Sequence, residues 1–153
     1  MDIKGKKVEV KKDKSGKIIL PENYKPSDDE QYMNPLQVEY FRRKLEAWKK
    51  ELLNESNETI EHLQVETWNE PDPSDQATIV EQTGLELRTR DRYRKLISKI
   101  DNALKRVEEG EYGYCEVTGE PIGLKRLDAR PIATMTIAAQ EQHEIEEKLA
   151  RED

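Results

Sequence analysis

The sequence predicts a mainly α-helical protein: a long antiparallel coiled-coil hairpin on a small globular base, closed by a glycine-rich knuckle and a C-terminal helix. Three observations carry this. Pro35 to about Trp68 and Asp75 to about Glu108 are two matched runs interrupted only by Gly84, which weakens a helix by about 1 kcal/mol. Between them stands a short acidic break, Glu70-Pro71-Asp72-Pro73-Ser74-Asp75. Leu45, Trp48 and Leu52 repeat at spacings of three and four, the mark of a coiled-coil seam. Two equal helices of roughly 50 Å joined by so short a link must fold back on each other, with the break as the tip.

Residues 1–33 are the least regular section. Lys7-Val8-Glu9-Val10-Lys11 alternates with period two and can pair with Lys17-Ile18-Ile19-Leu20 across Asp13-Lys14-Ser15-Gly16 as a small hairpin. Pro21, Pro26 and Asp28-Asp29-Glu30 then read as a connector, with Tyr32 and Met33 placed to staple onto the next helix. Asn34 and Pro35 read as N-cap and first helical position. Residues 34–109 form the hairpin, with its tip near 69–77. Leu36, Tyr40, Phe41, Leu45, Trp48, Leu52, Leu53, Ile60, Leu63 and Trp68 of the first arm face Leu85, Leu96, Ile100, Ala103, Leu104 and Val107 of the second. Gly110 is a natural left-handed helix end, and residues 110–153 hold the knuckle and the last helix. Either Thr134 or Thr136 caps that helix, in which Ile145 and Leu149 lie one turn apart.

Composition narrows the function. Charged residues make up 39 % and hydrophobic residues 34 % of 153, and the mean hydropathy is -1.01. The core is therefore modest. A net charge of -7 disfavours a general polyanion-binding surface, and no direct DNA binding is expected. One cysteine, Cys115, excludes an internal disulfide and an all-cysteine metal cage within one chain. No signal-peptide pattern or membrane-length apolar run is present, so a cytoplasmic location without membrane contact is expected. Phosphate loops, nucleophile elbows and paired-histidine zinc helices are absent, and His62 and His143 sit on charged helical faces. No enzyme is expected.

The frame around Cys115 is more informative. Cys115-x-x-Thr118, followed after a turn-rich stretch by Thr136-x-x-Ala139, has the spacing of a four-cysteine zinc knuckle with three ligands replaced. A structural zinc takes four sulfur or nitrogen donors. The sequence therefore predicts no cofactor and no zinc, with compensating packing from Tyr112, Tyr114, Val117, Ile122, Leu124, Leu127 and Ile137.

Taken together, these segments resemble the DksA/TraR family of RNA polymerase-binding transcription factors. The likeness runs through Glu30-Gln31-Tyr32-Met33-Asn34, Phe41-Arg42-Arg43-Lys44-Leu45-Glu46-Ala47-Trp48 and Asp72-Pro73-Ser74-Asp75-Gln76-Ala77. It continues in Leu85-Glu86-Leu87-Arg88-Thr89-Arg90-Asp91-Arg92, Gly113-Tyr114-Cys115-Glu116 and Ile122-Gly123-Leu124-Lys125-Arg126-Leu127-Asp128-Ala129-Arg130-Pro131. The resemblance implies a finger that enters the polymerase secondary channel and modulates initiation at ribosomal RNA and stringent-response promoters. It implies that Asp72, Asp75 and Ala77 act at the tip and that Arg92 contacts polymerase. Leu96, Lys99 and Arg130 match positions at a shared site for guanosine tetraphosphate (ppGpp). Gln140 stands there where the family typically has lysine, and the reduced cysteine set is similar to zinc-independent members. The alternative reading of the residues is a structural or adaptor coiled coil with no direct effect on polymerase. Asp72 and Asp75 also suit a second role, stabilising the positive N-terminal end of arm two.

Overall fold

The computed structural model describes residues 5–68 and 73–152, with the side chains of 59–75 outside that description. It is mainly helical: β1 (Lys11–Lys12), β2 (Ile18–Ile19), α1 (Pro35–Trp68), α2 (Pro73–Glu109), α3 (Leu124–Ala129) and α4 (Ile137–Glu152). The chain divides into two compact units, Met1–Leu45 with Asn102–Asp153, and Glu46–Asp101.

In the first unit, Asn34 caps α1 as its sequence suggests. Its Oδ1 accepts from the Leu36 and Gln37 amides at 2.9 and 3.1 Å, while the Gln37 Oε1 accepts from the Met33 amide at 2.8 Å. At the other end, the Gly110 amide donates to Val107 and the Glu111 amide to Arg106, with Gly110 at φ 75°. This left-handed termination satisfies carbonyls that the helix leaves open. Phe41 (1 % exposed), Leu45, Leu127 and Tyr112 are buried, and the rings of Tyr24, Tyr40, Phe41 and Tyr112 follow one another at centroid distances of 6.3, 5.2 and 5.8 Å. The Tyr112 hydroxyl donates to the Pro131 carbonyl at 2.7 Å. Tyr32 reaches across: its hydroxyl donates to the Gly113 carbonyl at 2.6 Å and accepts from the Gly123 amide at 2.9 Å. Gly113 is required there, because at φ 91° an added Cβ would sit 2.6 Å from the Met33 side chain.

Several expectations need correction. The hairpin is shorter than predicted and pairs Lys11 with Ile19 and Lys12 with Ile18, leaving Lys7–Val10 outside it. Asp13 sets this register, its carboxylate accepting from the Ser15 and Lys17 amides at 2.9 Å each. Helix α3 was not anticipated. Val117 and Ile137 do not pack the knuckle; they are 67 % and 58 % exposed. Leu53 and Leu85 are likewise exposed.

In the second unit, Lys49 pairs with Asp101 at 2.6 Å and Tyr93 hydrogen-bonds Glu55. Contacts of 49 with 101 and 55 with 93 fix an antiparallel register, around which Leu52 and Ile100 are buried. Ile60, Leu63 and Trp68 carry side chains outside the described residues.

Candidate functional site

Asp72 lies outside the described residues. The Asp75 backbone belongs to the first turn of α2, and its side chain is outside the description; Ala77 is exposed on the next turn. Further along α2, Arg92, Leu96 and Lys99 are spaced four and three apart and so share one helical stripe. Arg92 and Lys99 are exposed and Leu96 half-buried. The Arg92 guanidinium stands 5.8 Å over the Tyr93 ring. Asp91 instead binds Lys95 at 3.2 Å and Arg94 at 2.8 Å, partners that hold its carboxyl below the usual range. This surface therefore mixes neutralised pairs with cations that have no described carboxylate partner.

Arg130 and Gln140 belong to the first unit. Exposed Arg130 ends α3, its amide donating to the Arg126 carbonyl at 2.7 Å. Gln140, in the first turn of α4, donates from Nε2 to the Glu144 carboxylate at 3.1 Å. The predicted nucleotide residues thus divide between the units, Leu96 and Lys99 in one and Arg130 and Gln140 in the other.

The knuckle is a closed set of hydrogen bonds. The Cys115 amide donates to Glu120, Gly119 to Cys115, and Ile122 to Gly113, at 2.8, 2.9 and 2.8 Å. The Glu116 amide, donating to Thr134 at 2.8 Å, ties this turn to the strand of chain before α4. Thr136 rather than Thr134 caps α4, its hydroxyl accepting from the Ala139 amide at 3.2 Å. Cys115 is buried, and its sulfur receives the Thr118 hydroxyl and the amides of Thr118, Thr136 and Val117. Burial pushes the thiol up, but those donors together outweigh it and bring it down to about 6. The sulfur therefore gathers both halves of the knuckle. Two further clamps had no local sequence signal: the Arg106 guanidinium donates to the Tyr114 carbonyl at 2.8 Å, and Arg126 to the Met135 carbonyl at 2.9 Å.

Residues 37–107 match the family model of the N-terminal domain of DnaK suppressor protein DksA, and residues 110–144 that of the prokaryotic dksA/traR C4-type zinc finger. An RNA polymerase-binding transcription factor DksA from Caulobacter vibrioides is 60 % identical over 136 residues, covering 89 % of this chain and 96 % of that protein. Its namesake from Escherichia coli K12 is 49 % identical over 127 residues, covering 83 % and 84 %. The structure of transcription factor DksA2 from Pseudomonas aeruginosa matches with a TM-score of 0.72 at 39 % identity, covering 76 % of this chain and 90 % of that one.

The zinc-finger match corrects the expectation of no zinc cofactor. That expectation weighed only donor atoms, whereas the whole frame of residues 110–144 belongs to a C4-type zinc finger, a module that typically binds zinc. In donor chemistry, Cys115 offers sulfur, Thr118 and Thr136 offer hydroxyls, and Ala139 offers nothing. Among the described residues no three His, Cys, Asp or Glu side chains gather, so these positions do not make up the four-donor set themselves. Helical arms, knuckle and overall likeness agree along nearly the whole chain: it belongs to the DksA/TraR family.

Proposed function

We propose that this protein is a non-enzymatic transcription regulator that acts by binding RNA polymerase. The observation that carries the reading is the 60 % identity to a protein named for that activity, spread over 89 % of the chain rather than confined to one motif. In this reading the hairpin of residues 34–109 enters the secondary channel from the cytoplasm. Asp72, Asp75 and Ala77 act at its tip, on the polymerase's catalytic centre. Two carboxylates are too few to hold a catalytic metal unaided, so they perturb a site that belongs to another protein. Arg92, always charged and open to solvent, is the polymerase contact, with its guanidinium placed by Tyr93. Leu96, Lys99, Arg130 and Gln140 complete a guanosine tetraphosphate site at the shared interface. There Gln140 supplies a neutral hydrogen bond where lysine would supply a charged one.

The test is transcription in vitro from a ribosomal RNA promoter with purified polymerase. Wild type inhibits; Asp75→Asn binds polymerase equally well but loses inhibition. Guanosine tetraphosphate deepens the wild-type effect, and Gln140→Lys increases that response. A folded protein that binds polymerase yet never alters transcription would return the chain to the adaptor class.

A further inference from the structure

A cleft of about 630 Å³ opens in the first unit between residues 25–28, the start of α1 and helix α3. Its size falls within the roughly 300–1,000 Å³ of small-ligand sites. Half-buried Tyr40 and Leu124 form an apolar floor, backed by Phe41. Lys44 is committed to the wall: its ammonium binds the Asp128 carboxylate at 2.7 Å and the Asp128 carbonyl at 3.1 Å, 5.9 Å over the Tyr40 ring. Lys25, Lys125 and Asp28 also line the cleft, and none has an ion-pair or hydrogen-bond partner among the described residues. The Ser27 oxygen accepts from the Asp29 amide at 3.2 Å, which leaves its own proton free to donate. Two uncommitted ammonium groups and a hydroxyl thus stand beside one uncommitted carboxylate and an aromatic floor, in a chain whose net charge is -7.

We propose that this cleft is a nucleotide site, taking a nucleoside diphosphate whose base carries an amino group. The phosphates accept from Lys25, Lys125 and Ser27; an ammonium–phosphate contact is a charge-assisted hydrogen bond. The flat base covers Tyr40 and Leu124, replacing water over an apolar surface. Asp28, which would repel phosphate, instead accepts from the base amino group. A bare polyanion satisfies the lysines and leaves Asp28 opposed to it, so the site asks for an anion joined to a donor-bearing ring. None of these residues is among Leu96, Lys99, Arg130 and Gln140, and the site does not depend on polymerase.

The test is titration calorimetry of the full chain, without polymerase, using ADP, adenosine and inorganic pyrophosphate as probes. ADP binds, and each fragment binds at least tenfold more weakly. Lys25→Gln with Lys125→Gln weakens ADP about tenfold or more, as expected for lost charge-assisted contacts. Asp28→Ala, which removes the acceptor, lowers the ratio of ADP affinity to pyrophosphate affinity, whereas Arg130→Ala changes neither affinity. All substituted side chains are exposed, and circular dichroism checks that each variant is folded. No ADP binding at millimolar concentration, pyrophosphate binding as tightly as ADP, or loss of binding only in Arg130→Ala would overturn the proposal.

Discussion

Replacing Tyr32 by Phe removes one oxygen and, with it, the only described side-chain bridge from the connector before α1 to both Gly113 and Gly123. The ring stays, so its edge contact with Tyr114 at 5.6 Å is kept. What is lost is a donor to the Gly113 carbonyl and an acceptor for the Gly123 amide. Burial pushes the phenol above its ordinary range, so the hydroxyl remains a donor at any physiological pH. Each bond contributes about 0.5–1.5 kcal/mol net, so losing both destabilises the fold by about 1–3 kcal/mol. Gly113 is buried and Gly123 half-buried, which favours the upper half of that range. Urea unfolding followed by far-ultraviolet circular dichroism measures the change, and hydrogen exchange reports the Gly123 amide directly. A midpoint equivalent to less than about 0.5 kcal/mol, with Gly123 exchange unchanged, would refute the reasoning.

Glu39 gives a pH prediction. Buried Glu39 accepts from Arg42 Nε at 2.7 Å and Arg43 Nε at 2.8 Å; the Arg42 hydrogen bond leads the effects that lower its carboxyl below 4.5, against the opposing effect of burial. A depressed folded value means stabilisation that is present above the unfolded value and lost as pH falls through the folded one. Glu39→Gln is therefore less stable than wild type at neutral pH, and the gap narrows below 4.5; a gap constant across that range in paired denaturation curves counts against the ion pairs. Gly84 is helical, and an added Cβ meets only the Arg88 guanidinium at 3.9 Å. Gly84→Ala should stabilise α2 by about 0.5–1 kcal/mol in chemical denaturation, and a loss of stability would show that the glycine serves close packing.

The long helices were legible because their ends are written locally. Asn34-Pro35 starts α1 and Gly110 stops α2, and both act as their residue types suggest. The second helix begins at Pro73 instead of Asp75 because proline at a first position gives up a donor that the helix would not use. Helix α3 gave no such signal: Gly123 precedes it at φ 105° with no side-chain cap, and six residues are too few for a period to emerge. Apolarity misled at Val117 and Ile137, since a hydrophobic residue in a small, highly charged protein need not be buried. The stripe of Arg92, Leu96 and Lys99 follows from helical spacing alone. The knuckle spacing likewise pairs Cys115 with Thr118 and Thr136, but that the Val117, Thr118 and Thr136 amides and the Thr118 hydroxyl all turn onto the sulfur is set by backbone geometry that spacing does not give.

The first unit is discontinuous in sequence, built from Met1–Leu45 and Asn102–Asp153. During synthesis its early portion leaves the ribosome long before its complement exists. Tyr32 must wait for Gly113 and Gly123, which are 81 and 91 residues later, and Lys44 waits 84 residues for Asp128. Local helix formation in α1 can proceed meanwhile, but closure of such distant pairs is the slow part of folding. The aromatic-rich early half of this core thus stays without its partners until residues 113–128 are translated, and apolar surface left waiting in that way is what makes folding intermediates prone to aggregate.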